Sequence, residues 1–315
     1  MEIYHLQYPQ HKTIDDIGPF SLAIGFFDGL HKGHQAVIEE AKKKAEQLGI
    51  KSAVMTFDPH PSHLFGDGEN KVGYITQYPL KSQYIEEMGI DALFIVKFDQ
   101  PLSSLSPEQF IEIFIKGLGV KHVTAGFDFT FGSKGAGTMA QMDALSNGDY
   151  STSVIEKVTD SDEKVSSTLI RKLLSEGDVE KTATLLGRSF RTVGTVVDGE
   201  KRGRLLGFPT ANVLPDDELI IPSNGVYAVK FSLADQIYDG VCNVGVKPTF
   251  HDPSVSKTSV EVHLLDFTGD LYGKEVSVDW IARIRDEKKF GSVDELVEQI
   301  SMDKETAKEL LGRNL

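Results

Sequence analysis

The chain has one cysteine and one tryptophan in 315 residues, and no excess of basic charge. The lone thiol, Cys242, excludes an internal disulfide and a thiolate cluster for structural zinc, and it fits a reducing cytosol. No apolar stretch approaches the roughly 20 residues that a membrane-spanning helix needs. The opening MEIYHLQYPQHK lacks the basic and apolar regions of a secretory signal. Lys and Arg number 33 against 47 Asp and Glu, a formal charge of −14. That balance opposes non-specific binding to nucleic acid or to an anionic membrane. Neither a Walker A loop nor a GxGxxG fingerprint occurs, so any nucleotide site here uses a different phosphate cradle. The expectation is a cytoplasmic protein whose partners are small soluble ligands.

Hydrophobic residues at 40% and charged residues at 25% match a globular protein with full cores. The length allows two domains, and the two halves have different patterns. In the first, apolar runs at 21–24, 52–57, 93–98, 122–125 and 152–158 alternate with helical patterns at 35–48, 79–88 and 107–116. Strands alternating with helices predict a doubly wound parallel sheet of α/β class. In the second, strand-like runs at 190–197, 226–233, 237–244, 259–267 and 275–281 follow one another across Gly, Pro, Asn and Asp turns. That spacing predicts a small antiparallel barrel, followed by one or two helices over 293–311. The boundary is expected near 185–188, giving domains 1–185 and 186–315.

The most informative segment is GFFDGLHKGH at 25–34. It joins a buried strand to a helix, with His31 and His34 at the helix entrance. A helix N-terminus offers unpaired N–H groups and the positive end of its dipole, a site suited to phosphate. Two imidazoles one turn apart there can hold a polyphosphate as its charge redistributes. Partly exposed polar histidines, or a metal site shared with His60 and His63, are the alternatives; Pro59 and Pro61 argue for a stiff loop instead. In a doubly wound sheet, ligands bind beyond the carboxyl ends of the strands, where 25–34, 58–61 and 126–132 all fall. At 165–177, VSSTLIRKLLSEG reads as a capped helix whose Arg171, one turn in, can fork onto a phosphate.

In the second half, GEKRGRLLGFPTAN at 199–212 combines glycines with Lys201, Arg202 and Arg204. Thr210 and Asn212 lie two apart, so on an extended strand their oxygens share one face. Two neutral oxygens there suit Mg²⁺, which keeps waters and substrate phosphates at its other positions. Glu261, in TSVEVHLLDF, is either a solvated strand carboxylate or a base that accepts a hydroxyl proton during phosphoryl transfer.

Taken together, GFFDGLHKGH, TFDPHP (56–61), GFDFTFG (126–132), VSSTLIR (165–171), GRLLGFPTAN (203–212), NVGVKPTF (243–250), VEVHLLDF (260–267) and IRDEKKF (284–290) resemble the bacterial bifunctional riboflavin kinase/FAD synthetase family. The resemblance covers nearly the whole chain. Val165 and Val244 stand where Ile is common, and both keep the β-branched shape. The resemblance implies a Rossmann-like nucleotidylyltransferase domain followed by a riboflavin kinase barrel. The barrel would phosphorylate riboflavin with ATP, giving FMN; the first half would adenylylate FMN with ATP, giving FAD and pyrophosphate. It implies catalytic roles for His31, His34, Arg171 and Glu261. Nucleotide contacts are implied for Gly25, Phe26, Asp28, Gly33, Ser167, Thr168, Gly203, Gly207, Thr210 and Asn212. Phe57, Asp128, Phe131 and Arg285 would lie at the flavin, and Thr210 and Asn212 would serve Mg²⁺. The alternative is an FAD synthetase whose barrel only binds flavin and regulates.

Overall fold

Neighbouring residues of the N-terminal strands go to opposite cores. Leu22 and Ile24, Ala53, Met55 and Phe57, and Phe94 and Val96 pack on one face of a sheet. Ala23, Val54, Leu93 and Ile95 pack on the other. Strands buried on both sides read as continuous apolar runs, the mark of a parallel sheet covered by helices. In the computed structural model, which describes residues 1–9, 17–65, 72–161, 163–199, 207–248 and 256–312, that sheet has six strands. Their spatial order is Glu2–Leu6, Ala92–Lys97, Lys51–Asp58, Phe20–Ile24, Val120–Gly126, Ser151–Ile155, and every neighbouring pair is parallel.

The helices Lys32–Leu48 and Tyr78–Glu87 cover one face through Val37, Ile38, Ala41 and Ile85. Gly49, left-handed at φ 65°, ends the first, as its place after the last apolar residue predicts. On the other face, the pattern at 107–116 forms a single α-turn, Pro107–Phe110, that widens into a π-helix, Ile111–Lys116. The capping box of Ser106 and Gln109 starts that segment. The edge strand Glu2–Leu6 was not marked in the sequence; only Leu6 on it is buried.

The chain divides into two compact units, Met1–Ser167 and Thr168–Leu315. In the second, six strands close into a fully antiparallel barrel ordered Phe190–Val197, Ala211–Pro215, Ser256–Leu264, Gln236–Pro248, Gly225–Leu233, Glu275–Arg285 and back to the first. Closure leaves no edge to aggregate. Tyr227, Phe231, Cys242, Val278 and Trp280 are fully buried. Burial pushes the Cys242 thiol pKa up, so this cysteine is an inert apolar filler. The C-terminal helix Val293–Gly312 lies on the barrel, packing Ala307 and Leu311 against Val226, Val241 and Ile281.

Candidate active sites

In the parallel sheet, the turn after Phe20–Ile24 is built from strained and anchored backbone. The Gly25 N–H donates to the Met55 carbonyl at 3.1 Å. Phe27 and Leu30 hold positive φ angles of 51° and 45°, a region that side chains rarely adopt. Gly29, at φ 87°, lies so that a Cβ would meet Ile75 at 3.2 Å. The Asp28 carboxylate is buried and accepts the N–H groups of Ile75 (3.1 Å) and Thr76 (3.0 Å). Its carbonyl accepts the Ser167 hydroxyl at 2.9 Å. Asp28 and Ser167, both expected at the nucleotide, thus also tie the turn to two distant segments.

His31 is the N-cap of Lys32–Leu48, and its Nδ1 accepts the backbone N–H of His34 at 3.2 Å. An Nδ1 that accepts leaves the neutral ring's proton on Nε2, which makes that nitrogen the ring's donor. The two rings stack with centroids 3.6 Å apart. Gly33 makes room for this arrangement, since a Cβ there would meet the His31 ring at 3.1 Å. His60 and His63 do other work: His60 Nδ1 shares a hydrogen bond with Ser62 Oγ at 2.9 Å, and the His63 ring packs at a tilt on Tyr74, centroids 5.1 Å apart.

Beside the turn, a cavity of about 620 Å³ is walled by Phe26, Phe57, Phe98, Phe110, Phe129 and Phe131. The rings of Phe26 and Phe57 lie 5.2 Å apart and those of Phe110 and Phe131 5.4 Å, at tilted angles. An aromatic box of this size suits a flat fused-ring ligand. Phe57 and Phe131 were expected there. Asp128 does not line it: the carboxylate is exposed and pairs with Lys164 Nζ at 2.6 Å. Phe98 and Phe110 were missed, because aromatics in apolar periodicity read as core.

Thr168, exposed, and Arg171 follow Ser167 on the helix Ser167–Glu176, beyond the division between compact units.

On the barrel, strand register assembles a second constellation. Glu261 pairs across the ladder with Asn212 on one side and Asn243 on the other, so all three share one face. Their neighbours Val260 and Val262 turn inward and are buried. Thr210 is on the same side and lies 3.5 Å from the Glu261 carboxylate, Oγ1 to Oε2. Two cavities meet at Thr210. One, of about 400 Å³, is lined by Glu261, Asn243, His263, Arg285, Phe290 and residues of the C-terminal helix. The other, of about 480 Å³, is lined by Pro209, Ala211, Phe267, Asp270 and Tyr272.

Arg285 reaches the first cavity on a buried anchor: it forks onto Asp303 of the C-terminal helix at 2.9 and 2.7 Å. Gln299 donates to the same carboxylate at 3.0 Å. Sequence reasoning missed His263, whose Nδ1–H donates at 2.8 Å to the Pro209 carbonyl, the residue before Thr210. Burial lowers the His263 pKa, outweighing the Pro209 bond, which raises it. Gly207 is exposed, with φ 82°. Gly203 and the cations Lys201, Arg202 and Arg204 lie outside the described residues.

The set Thr210, Asn212 and Glu261 offers hard oxygens on one face, a donor chemistry that fits Mg²⁺. The histidine pair offers N–H donors at a helix N-terminus, which fits phosphate.

Comparison with known proteins agrees with both halves. Residues 14–169 match the FAD synthetase family and residues 186–311 the riboflavin kinase family. The bifunctional riboflavin kinase/FMN adenylyltransferase of Bacillus subtilis is 45% identical over 98% of this chain and 97% of its own length. The protein of that name from Listeria monocytogenes is 39% identical over 93% and 92%. A crystal structure described as a macrolide-efflux protein from Streptococcus pneumoniae matches with a TM-score of 0.87 and 32% identity, covering 98% of this chain and 99% of that one. The efflux in its description is a statement about that protein; no helix among the described residues here is long and apolar enough to cross a membrane. With near-complete coverage at such identities, and one family match in each half, the chain belongs to the bifunctional riboflavin kinase/FMN adenylyltransferase family.

Proposed function

We propose that the two constellations divide the synthesis of FAD between them, residues 1–185 carrying adenylyl transfer and 186–315 the kinase step. The chain is a riboflavin kinase and FMN adenylyltransferase. The alternative in which the barrel only binds flavin gives way, since the riboflavin kinase match spans 186–311 with Thr210, Asn212 and Glu261 intact. The observation that carries the division of labour is the row Asn212–Glu261–Asn243 beside Thr210. It supports the reading because a carboxylate among neutral oxygens is the equipment that deprotonation of a hydroxyl needs.

In the kinase step, riboflavin lies in the cavity lined by Glu261, Asn243 and Arg285. Glu261 takes the proton of the ribityl 5′-hydroxyl as that oxygen bonds to the γ-phosphorus of ATP, and ADP leaves with the bridging oxygen. Thr210 and Asn212 would hold Mg²⁺, which would neutralise charge on the phosphate oxygens. Gly207, exposed and with no atom within 4 Å of a Cβ placed on it, gives the triphosphate room beside the backbone. The Arg285–Asp303 fork keeps the flavin cavity covered by the C-terminal helix.

In the adenylyl step, the FMN isoalloxazine occupies the aromatic box of Phe26, Phe57 and Phe131. A phosphate oxygen of FMN bonds to the α-phosphorus of ATP, and pyrophosphate leaves. His31 and His34 donate to the oxygens on which charge builds, aided by the helix N-terminus. Ser167 holds the departing phosphates, while Gly25, Asp28 and Gly33 shape the turn that receives them. Asp128, paired with Lys164, stands outside that box and takes no part in the step.

The test is a time course with riboflavin and Mg²⁺–ATP, separating FMN from FAD. FMN rising before FAD supports the reading. Conversion of added FMN to FAD with no FMN made from riboflavin would leave an adenylyltransferase alone.

A further inference from the structure

Lysine is among the residues least often fully buried, yet Lys81 is only 6% exposed. It sits in the first turn of Tyr78–Glu87, and its Nζ donates to the Phe26 carbonyl at 3.0 Å. Thr56 Oγ1 donates to the same oxygen at 2.9 Å. One carbonyl thus receives both a buried ammonium and a buried hydroxyl.

That carbonyl belongs to the peptide on which the site turns. Phe26 sends its ring into the aromatic cavity, against Phe57 and 5.2 Å from His60. Phe27 sends its ring to the opposite face of the sheet, among Ala23, Val37 and Leu30, where it meets His34 edge-on at 5.4 Å. The Phe26–Phe27 peptide therefore sets the offset between the flavin cavity and the histidine pair. Its second residue holds a left-handed φ of 51°, a conformation that persists only where surrounding contacts over-determine it. A charged donor holds a carbonyl more strongly than a neutral one does. Burial lowers the Lys81 pKa, while the charges of Asp28 and Asp58 push it back up.

We propose that Lys81 is a positioning residue for adenylyl transfer: with Thr56, it locks the Phe26–Phe27 peptide and so the distance from the bound FMN phosphate to His31 and His34. A residue that only fills space in the core could be replaced by methionine at little cost, and one that only neutralises Asp28 or Asp58 would have no connection to Thr56. The proposal rests on reading the first unit as the FMN adenylyltransferase.

Steady-state kinetics of the full chain with FMN and Mg²⁺–ATP test it. In Lys81→Met, kcat for FAD formation is expected to fall on the order of 10²-fold, the usual cost of a misplacement of about 1 Å. KM for both substrates should stay within about threefold. Thr56→Val should lower kcat about tenfold, and the double variant should fall no further than Lys81→Met, because both act through one carbonyl. A folded Lys81→Met with wild-type kcat, a loss carried in KM alone, or single effects that simply multiply would overturn the proposal. Should Lys81→Met fail to fold by circular dichroism, Thr56→Val decides: a lower kcat supports the lock and an unchanged one refutes it. Wild-type protein that makes no FAD from FMN would instead sink the underlying functional reading.

Discussion

The two proposed sites, assigned the same co-substrate, carry opposite equipment. The turn at 25–34 presents imidazoles, a helix N-terminus and, beneath them, the buried Lys81 ammonium. Its buried carboxylate, Asp28, accepts the backbone N–H groups of Ile75 and Thr76. The barrel presents a carboxylate, Glu261, among neutral oxygens and amides. The difference follows from the nucleophiles. The phosphate of FMN is already an anion, so its site has to tolerate and place negative charge, not remove a proton. The hydroxyl of riboflavin is neutral and needs a base as it attacks. Nucleophile protonation, more than the shared ATP, explains why one chain carries two unlike sites.

Glu261→Gln is the strongest way to break the comparison. It keeps the shape of the row and removes the base. Formation of FMN should fall by about 10²–10⁴-fold, while conversion of FMN to FAD continues at the wild-type rate. Equal loss of both activities in a folded protein would mean that the sites are not separate. His31→Ala is the reciprocal change. Loss of its donor should slow FAD formation by about 10²–10³-fold and leave FMN production intact, as judged by chromatography of the products.

A third change sharpens the contrast in how the sites are held. The C-terminal helix, proposed as the flavin cover, is held on the barrel by apolar contacts and one buried ion pair, Arg285 with Asp303. Asp303→Ala leaves the guanidinium without its partner and should destabilise by about 3–5 kcal/mol, visible as a lower unfolding midpoint and a raised KM for riboflavin. FAD formation from FMN, measured well below that midpoint, should not change. An unaltered midpoint would show that the helix docks through apolar contacts alone.

The smallest effect concerns pH. His122 is buried in the parallel sheet between the hydroxyls of Ser151 (2.8 Å) and Ser153 (3.1 Å). Burial lowers its pKa, so the unfolded chain binds the proton more readily than the folded one. The stability this contributes is present above the unfolded value of about 6.5 and is lost as pH falls through the depressed folded value. Urea midpoints taken from about pH 8 down to about pH 5 should therefore decline less steeply in His122→Asn than in wild type. Parallel slopes would contradict the assignment.

Much of this was legible from local pattern. The alternation of strand and helix gave way to closely spaced strands where the barrel begins, and the place of His31 and His34 at a helix entrance followed from the amphipathic pattern after them, although the helix starts at Lys32, earlier than the expected 35. The sets that depend on strand register were harder to see. Glu261 stood out, but Asn243, which faces it across the ladder, lies in a different strand, and no local periodicity pairs the two. Lys81 escaped because a lysine on a helix reads as solvated until tertiary packing covers it. Asp128 drew attention through its place in GFDFTFG, and its ion pair with Lys164, 36 residues on, has no local signature. The π-turns at Ile111–Lys116 likewise arise from packing, since their sequence has ordinary helical periodicity.

The central claim, two independent sites matched to two nucleophiles, is tested most directly by product analysis of both variants with riboflavin and Mg²⁺–ATP. His31→Ala is expected to accumulate FMN and stop there. Glu261→Gln is expected to leave riboflavin untouched yet turn added FMN into FAD, and the two proteins mixed should restore FAD from riboflavin. A mixture that still makes no FAD, or either variant losing both reactions while folded, would contradict the account.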